Sequence, residues 1–112
     1  MSPVRYRLLD MQRAITAIEN FVVGGETVFR QSMQIQHAVF HDLTVLGEAA
    51  RAIPREVRDR YPHVPWAQII ALRNAITHEY HRLRLELIWG VVRDELPKLK
   101  RQIEVMLADH PQ

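Results

Sequence analysis

The chain contains no cysteine, and this absence removes several classes of chemistry. Disulfide bonds, thiolate nucleophiles and cysteine-ligated zinc are excluded, and a chain without cysteine fits a reducing compartment. No apolar run approaches the ~20 residues that cross a bilayer. Residues 1–10 carry charged side chains without the apolar stretch of a signal peptide. The sequence therefore predicts a soluble, cytoplasmic protein.

Internal repeats, low-complexity segments and linkers are also missing. With 112 residues, of which 47% are apolar and 25% charged, the chain is predicted to form one globular domain over residues 1–112. Gly24-Gly25 is not followed by the glycine pattern of a phosphate-binding loop. No motif in the sequence calls for a bound cofactor.

The apolar pattern is helical almost throughout, and no alternating pattern of useful length predicts a strand. Apolar residues recur at three- and four-residue intervals in four stretches: Leu8–Val22, Ile35–Ile53, Ile69–Tyr80 and Ile88–Met106. We expect short extra turns near Glu26–Arg30 and Arg55–Arg60. This pattern predicts an all-α fold, an antiparallel four-helix bundle with one or two short extra helices.

Glycine, serine and proline residues predict where the helices begin and end. Gly24-Gly25 is predicted to end the first helix, and Ser32 to cap the second, which Pro54 stops. Pro65-Trp66 should begin the third helix, because proline suits a first helical turn. Pro97 lies inside the last stripe and is predicted to kink or divide that helix.

Basic residues concentrate in the second half of the chain. The net charge is only +2, but residues 51–112 hold eleven Arg and Lys against eight Asp and Glu. Between Arg73 and Arg84, three arginines and two histidines face a single acid, Glu79. A locally basic site favours an anionic partner such as RNA, a nucleotide or an acidic protein face, although a solvated helix surface gives the same pattern.

The chemistry of the chain is densest in the octapeptide Arg73–Tyr80. A helix turns about 100° per residue, so Arg73 and Tyr80 should lie within about 20° of each other. His78 should point about 140° away from Arg73. On one straight helix Arg73 and His78 do not converge. Either the helix ends near His78, or a second copy of the chain completes the site and the fold dimerises around this helix.

These groups suit metal-independent cleavage of RNA. The reaction needs a base for the 2′-hydroxyl, an acid for the leaving 5′-oxygen, and a cation for the phosphate. Imidazole covers both proton transfers near neutral pH, and guanidinium binds the phosphate oxygens. Two His78 side chains from two protomers would divide the acid and base roles. Such a spacing also arises by chance in many helices.

The motif Arg-x4-His-x-Tyr, as Arg73, His78 and Tyr80, resembles the signature of the HepT-like branch of the HEPN family. Members are small helical proteins paired with minimal nucleotidyltransferases in bacterial and archaeal toxin–antitoxin modules. The resemblance covers roughly residues 43–107. It extends over Leu46-Gly47-Glu48-Ala49-Ala50, Tyr61-Pro62 with Val64-Pro65-Trp66, Ile69-Ile70 with Leu72-Arg73-Asn74, and Leu87, Trp89 and Leu96-Pro97 with Leu99.

The resemblance implies a homodimeric endoribonuclease toxin with Arg73 and His78 as catalytic residues. Asn74 stands where the family usually has a polar residue. The family's antitoxin, a cognate minimal nucleotidyltransferase, transfers AMP from ATP to the motif tyrosine, here Tyr80. A rival interpretation is a non-catalytic helical binding module, serving as substrate or regulatory subunit of a nucleotidyltransferase.

Four further groups of residues are weaker candidates. His37, His41, His78 and His81 have the number and spacing of a four-histidine metal site, although the first pair also flanks an apolar stripe. Glu48 is the preferred supporting acid, with Asp42 as an alternative. The basic run Arg51, Arg55, Arg58 and Arg60 would guide RNA or contact the antitoxin, or is merely exposed. Trp66 and Trp89 are expected in the core or in a dimer contact.

Overall fold

The computed structural model describes all 112 residues, which form helices and no strand. The α-helices are α1 Pro3–Phe21, α2 Gly25–Gln31, α3 Met33–Ala52, α4 Arg55–Arg58, α5 Trp66–Glu79, α6 Leu85–Gly90 and α7 Leu96–Asp109. A 3₁₀ turn, Tyr80–Arg82, follows α5, and a π-helical turn, Val91–Glu95, joins α6 to α7. The four long helical segments and the short α2 and α4 confirm the predicted fold class.

Local sequence signals explain most helix boundaries. The Ser2 hydroxyl accepts a hydrogen bond from the Arg5 N–H at 3.1 Å and starts α1. Ser32 accepts from the Ile35 N–H at 3.1 Å, which confirms the predicted cap of α3. Helix α1 ends at Phe21, slightly before the predicted glycine pair, and Gly25 begins α2 with a φ of +86°. Glycine adopts this backbone conformation without steric cost.

The last long helix is divided, as Pro97 predicts. Proline lacks the N–H that would continue the α-helical ladder, and its ring crowds the preceding turn. The wider π turn Val91–Glu95 lies immediately before α7, in whose first turn Pro97 sits. The chain thereby continues from α6 into α7 despite the proline.

Polar contacts between α1 and the α7 end of the chain show that these two helices run antiparallel. Arg5 near the start of α1 donates from Nη1 to the carbonyl oxygens of Leu107 and His110, at 3.1 and 2.9 Å. Further along α1, Glu19 accepts from the Lys100 ammonium at 3.0 Å. The helices enclose one core, whose largest fully buried side chains are Leu8, Met11, Ile15, Ile18, Phe29, Val39, Leu43, Ile53, Ile88, Ile103 and Met106.

The core contains no buried polar or charged residue, so every candidate functional group lies at the surface or in a groove. None of the helices is long and apolar enough to span a bilayer.

Helices α3 and α5 are in close contact at Gly47. A β-carbon placed on Gly47 would overlap the Cβ of Arg73 and lie 2.8 Å from its Cγ. It would also lie 3.2 Å from the carbonyl oxygen of Ile69. The absence of a side chain at Gly47 therefore allows Arg73 to sit directly against α3.

We expect Gly47→Ala to destabilise the fold. Alanine gains about 1 kcal/mol of helix propensity over glycine, but overpacking against the Arg73 stem and the Ile69 carbonyl costs about 1–3 kcal/mol. Gly90→Ala is the matched control, because a β-carbon there meets nothing within 4 Å and its φ of −59° is helical. Urea unfolding should place Gly47→Ala below the wild type and Gly90→Ala above it. Equal stabilisation by both substitutions would contradict the close approach.

Candidate active site

Arg73 is held between α3 and α5 by two polar partners. Its Nη2 forms an ion pair with the Glu48 carboxylate, and its Nη1 donates to the Asn74 Oδ1 at 2.9 Å. The side chain is only 17% exposed, and its Nε is buried without an acceptor. The structure therefore brings both predicted supporting residues, Glu48 and Asn74, into contact with Arg73.

This environment fixes the position of the guanidinium without using all its donors. A guanidinium has five N–H groups, and the two partners take one each. A buried donor without an acceptor is uncommon in folded proteins and costs about 1–3 kcal/mol. Arg73 is thus a rigidly placed cation whose hydrogen-bonding capacity is only partly satisfied within one copy of the chain.

His78 lies on a different side of α5 from Arg73. The α-helix continues through Glu79, so the expected angle of about 140° between the two side chains holds, with a rise of about 7.5 Å. Ile69 and Ile76 are buried, whereas His78 is exposed and forms no hydrogen bond within the chain. A single copy therefore does not bring Arg73 and His78 together.

Tyr80 lies just beyond α5, which corrects the prediction that the motif helix includes it. Glu79, with φ −138° and ψ 28°, leaves the helical conformation, and Tyr80 opens the 3₁₀ turn. The Tyr80 ring is 56% exposed. Its edge-to-face neighbours are His37, with centroids 6.4 Å apart, and His81, at 5.9 Å. Its hydroxyl has no hydrogen-bond partner in the chain.

Tyr61, which is partly buried, has a different environment. The Tyr61 hydroxyl donates to the Asp109 Oδ2 at 2.7 Å. Burial, together with that hydrogen bond, raises the pKa of the Tyr61 phenol above its ordinary value. Tyr61 is therefore a structural brace between the connector and α7, whereas the Tyr80 phenol is free.

A groove of about 360 Å³ runs beside Tyr80 along the α3–α5 seam. Its lining residues come from both helices and the 3₁₀ turn: His37, Phe40, His41, Thr44, Ile76, Thr77 and Tyr80. From the sequence, His37 and His41 were candidate metal ligands or polar residues flanking an apolar stripe, and this groove was not predicted. Their four-residue spacing beside an apolar stripe placed them on one side of α3, but only the packing of α5 shows what they face.

The histidines do not form the four-ligand cluster considered from the sequence. No group of three or more His, Asp or Glu side chains is placed to share one ion. His37 and His41 line the groove, His81 lies against Tyr80, and His78 is exposed on α5. The four side chains therefore do not converge on one point.

None of the remaining candidates forms a hydrogen bond or an ion pair with Arg73. Burial raises the pKa of the Asp42 carboxyl, with the nearby His41 acting in the opposite direction, and Asp42 forms no ion pair. Arg58 donates from Nε to the Ile53 carbonyl oxygen at 3.1 Å and so braces the end of α3. The other arginines of the basic run are exposed: Arg51, Arg55 and Arg60.

Both tryptophans contribute to packing. Trp66 is buried and donates from Nε1 to the Tyr61 carbonyl oxygen at 3.1 Å. Trp89 is partly buried with its ring centroid 5.5 Å from that of Phe29. The expected core role is confirmed for Trp66, and Trp89 packs against the core.

Comparison with known proteins identifies relatives over most of the chain. The family model described as ribonuclease HepT-like matches residues 11–106. A Methanocaldococcus jannaschii protein named "Putative RNase" is 30% identical over 103 residues, which cover 91% of this chain and 85% of the relative. The "Probable ribonuclease HepT" of Thermococcus cleftensis is 30% identical over 100 residues, 87% and 89% of the two chains.

A second M. jannaschii protein named "Putative RNase" is 35% identical over 78 residues, 70% of this chain and 72% of its own length. No solved structure matches the chain significantly. The matched region contains Gly47, Arg73, His78 and Tyr80, and it confirms the resemblance expected from the motif. The chain therefore belongs to the ribonuclease HepT-like family of the HEPN superfamily.

Proposed function

We propose that the chain is a cytoplasmic, metal-independent endoribonuclease toxin that acts as a homodimer. Arg73 and His78 would be its catalytic residues, supported by Glu48 and Asn74. A cognate minimal nucleotidyltransferase antitoxin would inhibit it by transferring AMP to Tyr80. Membership of a ribonuclease family supplies the coarse function, and the geometry of the Arg73–Tyr80 motif supports the finer assignment.

The observation that carries this proposal is the divergence of Arg73 and His78 on one continuous helix. Arg73 is locked against α3 by Glu48 and Asn74, whereas His78 is exposed without a partner. An exposed imidazole on a different side of the helix from a fixed cation can complete an active site if a second motif helix packs against the first. A two-fold axis would then place two histidines and two arginines around one cleft.

The reaction follows from those groups. One His78 imidazole takes the proton of the 2′-hydroxyl, whose oxygen attacks the adjacent phosphorus. The bond from phosphorus to the 5′-oxygen breaks, and the second His78, protonated, supplies the proton to that leaving oxygen. The products are a 2′,3′-cyclic phosphate and a 5′-hydroxyl. Arg73 donates hydrogen bonds to the phosphate oxygens as their charge increases.

The position of Tyr80 suits a modification that blocks this site. In the transfer, the phenol oxygen attacks the α-phosphorus of ATP, the bond to pyrophosphate breaks, and the phenol proton leaves. The exposed, unpaired hydroxyl of Tyr80 is open to this attack, unlike the Tyr61 hydroxyl that donates to Asp109. The attached phosphate adds negative charge near the cleft and would repel RNA.

One observation favours the rival interpretation, a helical binding module that is the substrate or regulatory subunit of the transferase. The Arg73 charge is already paired with Glu48 in a single copy. A paired and largely buried guanidinium attracts a phosphate less strongly than a free one. The two interpretations differ in whether His78 matters for RNA cleavage.

We expect the purified protein to cleave RNA in the presence of a chelator. His78→Ala should slow cleavage by about 10²–10⁴-fold, because it removes the acid–base group. Arg73→Lys keeps the charge but loses the planar fork of donors, so it should also cost about 10²-fold or more. Cleavage of total cellular RNA with EDTA, followed by analysis of the 3′ ends for cyclic phosphate, measures both effects.

Matched controls are His63→Ala on the connector and Arg101→Ala on α7, both exposed and remote from the motif. They should cleave like the wild type, and circular dichroism should show equal helix content in all variants. If His78→Ala cleaves as fast as the wild type, the nuclease assignment fails and the binding module is favoured.

We expect the cognate transferase to label Tyr80 specifically. With ATP labelled in its α-phosphate, Tyr80→Phe should abolish the label on the protein because the acceptor oxygen is gone. Tyr6→Phe is the matched control, since Tyr6 is similarly exposed, at 52%, but lies on α1 and does not line the groove. Undiminished label on Tyr80→Phe would contradict the assignment.

We expect a dimer at micromolar concentration. Multi-angle light scattering should give twice the 13.1 kDa mass of one chain. The cleavage rate per chain should fall on dilution through the dissociation range, because the composite site separates into two incomplete halves. A monomer that keeps its full rate per chain would rule out the composite site.

A further inference from the structure

Two residues that line the groove beside Tyr80 lie one helical turn from the contact between Arg73 and α3. Thr77 lies one helical turn after Arg73 on α5, and Thr44 lies one turn before Gly47 and Glu48 on α3. Both threonines line the groove, and Thr77 lies about 6 Å from the level of Arg73 along the seam. A single nucleotide can bridge that separation, with its phosphate at one end and its base at the other.

The floor and the rim of the groove have different chemistry. Phe40 and Ile76, which are 8% and 6% exposed, form an apolar floor. His37, His41 and Thr77 are exposed at the rim, and none of them forms a hydrogen bond within the chain. An apolar surface edged by unused donors and acceptors matches a nucleobase, which is flat on its faces and polar at its edge.

Thr44 and the open shape of the groove add to this match. The Thr44 hydroxyl donates to the Phe40 carbonyl oxygen at 2.9 Å, which leaves its oxygen lone pairs available as acceptors. The volume of about 360 Å³ is within the ~300–1,000 Å³ of small-ligand sites. The groove is open along one side, so the ribose and the rest of a strand can continue out of it.

We propose that this groove is a nucleobase subsite, which holds the base of a nucleotide whose phosphate lies toward Arg73. The inference rests on the proposed function, since it names where the nucleotide of that reaction sits. Two sources would supply the same chemistry: a nucleotide of the RNA substrate, and the adenylyl group attached to Tyr80. Occupancy by the adenylyl base would exclude the RNA base directly, in addition to the charge effect of the phosphate.

The first arm of the test measures RNA binding without cleavage. A short fluorescent 2′-O-methyl oligonucleotide of mixed sequence lacks the attacking hydroxyl, so its binding to the full chain needs neither nuclease activity nor the transferase. His41→Leu and Thr77→Val remove rim hydrogen bonds at similar volume and should each weaken binding about tenfold, measured by fluorescence anisotropy. His63→Leu and Thr27→Val are matched controls at exposed sites and should bind within about twofold of the wild type.

An oligonucleotide with the same backbone but no bases separates base binding from phosphate binding. It should bind weakly, and the two groove substitutions should not change its affinity. Equal losses for the abasic and intact strands would show that the rim residues contact phosphate, which overturns a base subsite for RNA.

The second arm tests the adenylyl group. The measurement is proton NMR of the histidine rings. The chain has six histidines, so the spectrum contains few ring Hε1 signals, and the His41 signal is identified by its loss in His41→Leu. Adenylylation at Tyr80 should move the His41 signal and leave that of His63 unchanged. If the groove substitutions do not alter oligonucleotide binding and adenylylation does not move the His41 signal, the subsite is overturned. The first arm needs neither RNA cleavage nor labelling of Tyr80, so it tests the subsite even if the nuclease or the labelling assignment fails.

Discussion

The contact between Gly47 and Arg73 determines the geometry of the rest of the motif. Because Gly47 has no side chain, the stem of Arg73 lies directly on α3, and its guanidinium reaches Glu48. This contact fixes both the spacing of α3 and α5 and the rotation of α5 about its axis. Once that rotation is fixed, helical geometry fixes the direction of every other side chain on α5.

Two consequences follow from the rotation of α5. His78 is directed away from α3, since it lies about 140° from Arg73 on the same helix. Thr77 and Ile76 are directed along the seam, where they line the groove with residues of α3. With the Arg73 cation inside the seam and the His78 imidazole outside it, one chain does not bring the two groups to the same phosphate. In the proposed homodimer, a second chain that covers the exposed side of α5 would bring its own motif to that imidazole.

The sequence allowed much of the fold to be predicted because its signals are local. Ser32 caps α3, Pro65 precedes α5, and Pro97 coincides with the division of the last helix. Each depends on a few neighbouring residues, so the pattern is readable without knowing the packing. The angular separation of Arg73 and His78 was predictable for the same reason, since it depends only on the regularity of one helix.

The parts that could not be predicted depend on contacts between distant segments. The pairing of Glu48 with Arg73 and the close approach at Gly47 require the register of α3 against α5. The groove has no sequence signature, because His37 and His41 face Thr77 only after the two helices pack. A helix end near His78 was one of the two alternatives predicted, and α5 does end at Glu79. The exclusion of Tyr80 from the helix was missed, since the apolar spacing continues through Tyr80 while the helical backbone does not.

That early helix end has a physical consequence for the tyrosine. On a continued α-helix Tyr80 would lie about 20° from Arg73 and about 10.5 Å along the same face. The break at Glu79 instead turns its ring against His37 and His81 at the mouth of the groove. A group attached to the phenol is therefore adjacent to the groove rather than projecting from the end of a helix. The irregular turn thus places the motif tyrosine beside the α3–α5 seam that holds Arg73, although the two side chains do not touch each other.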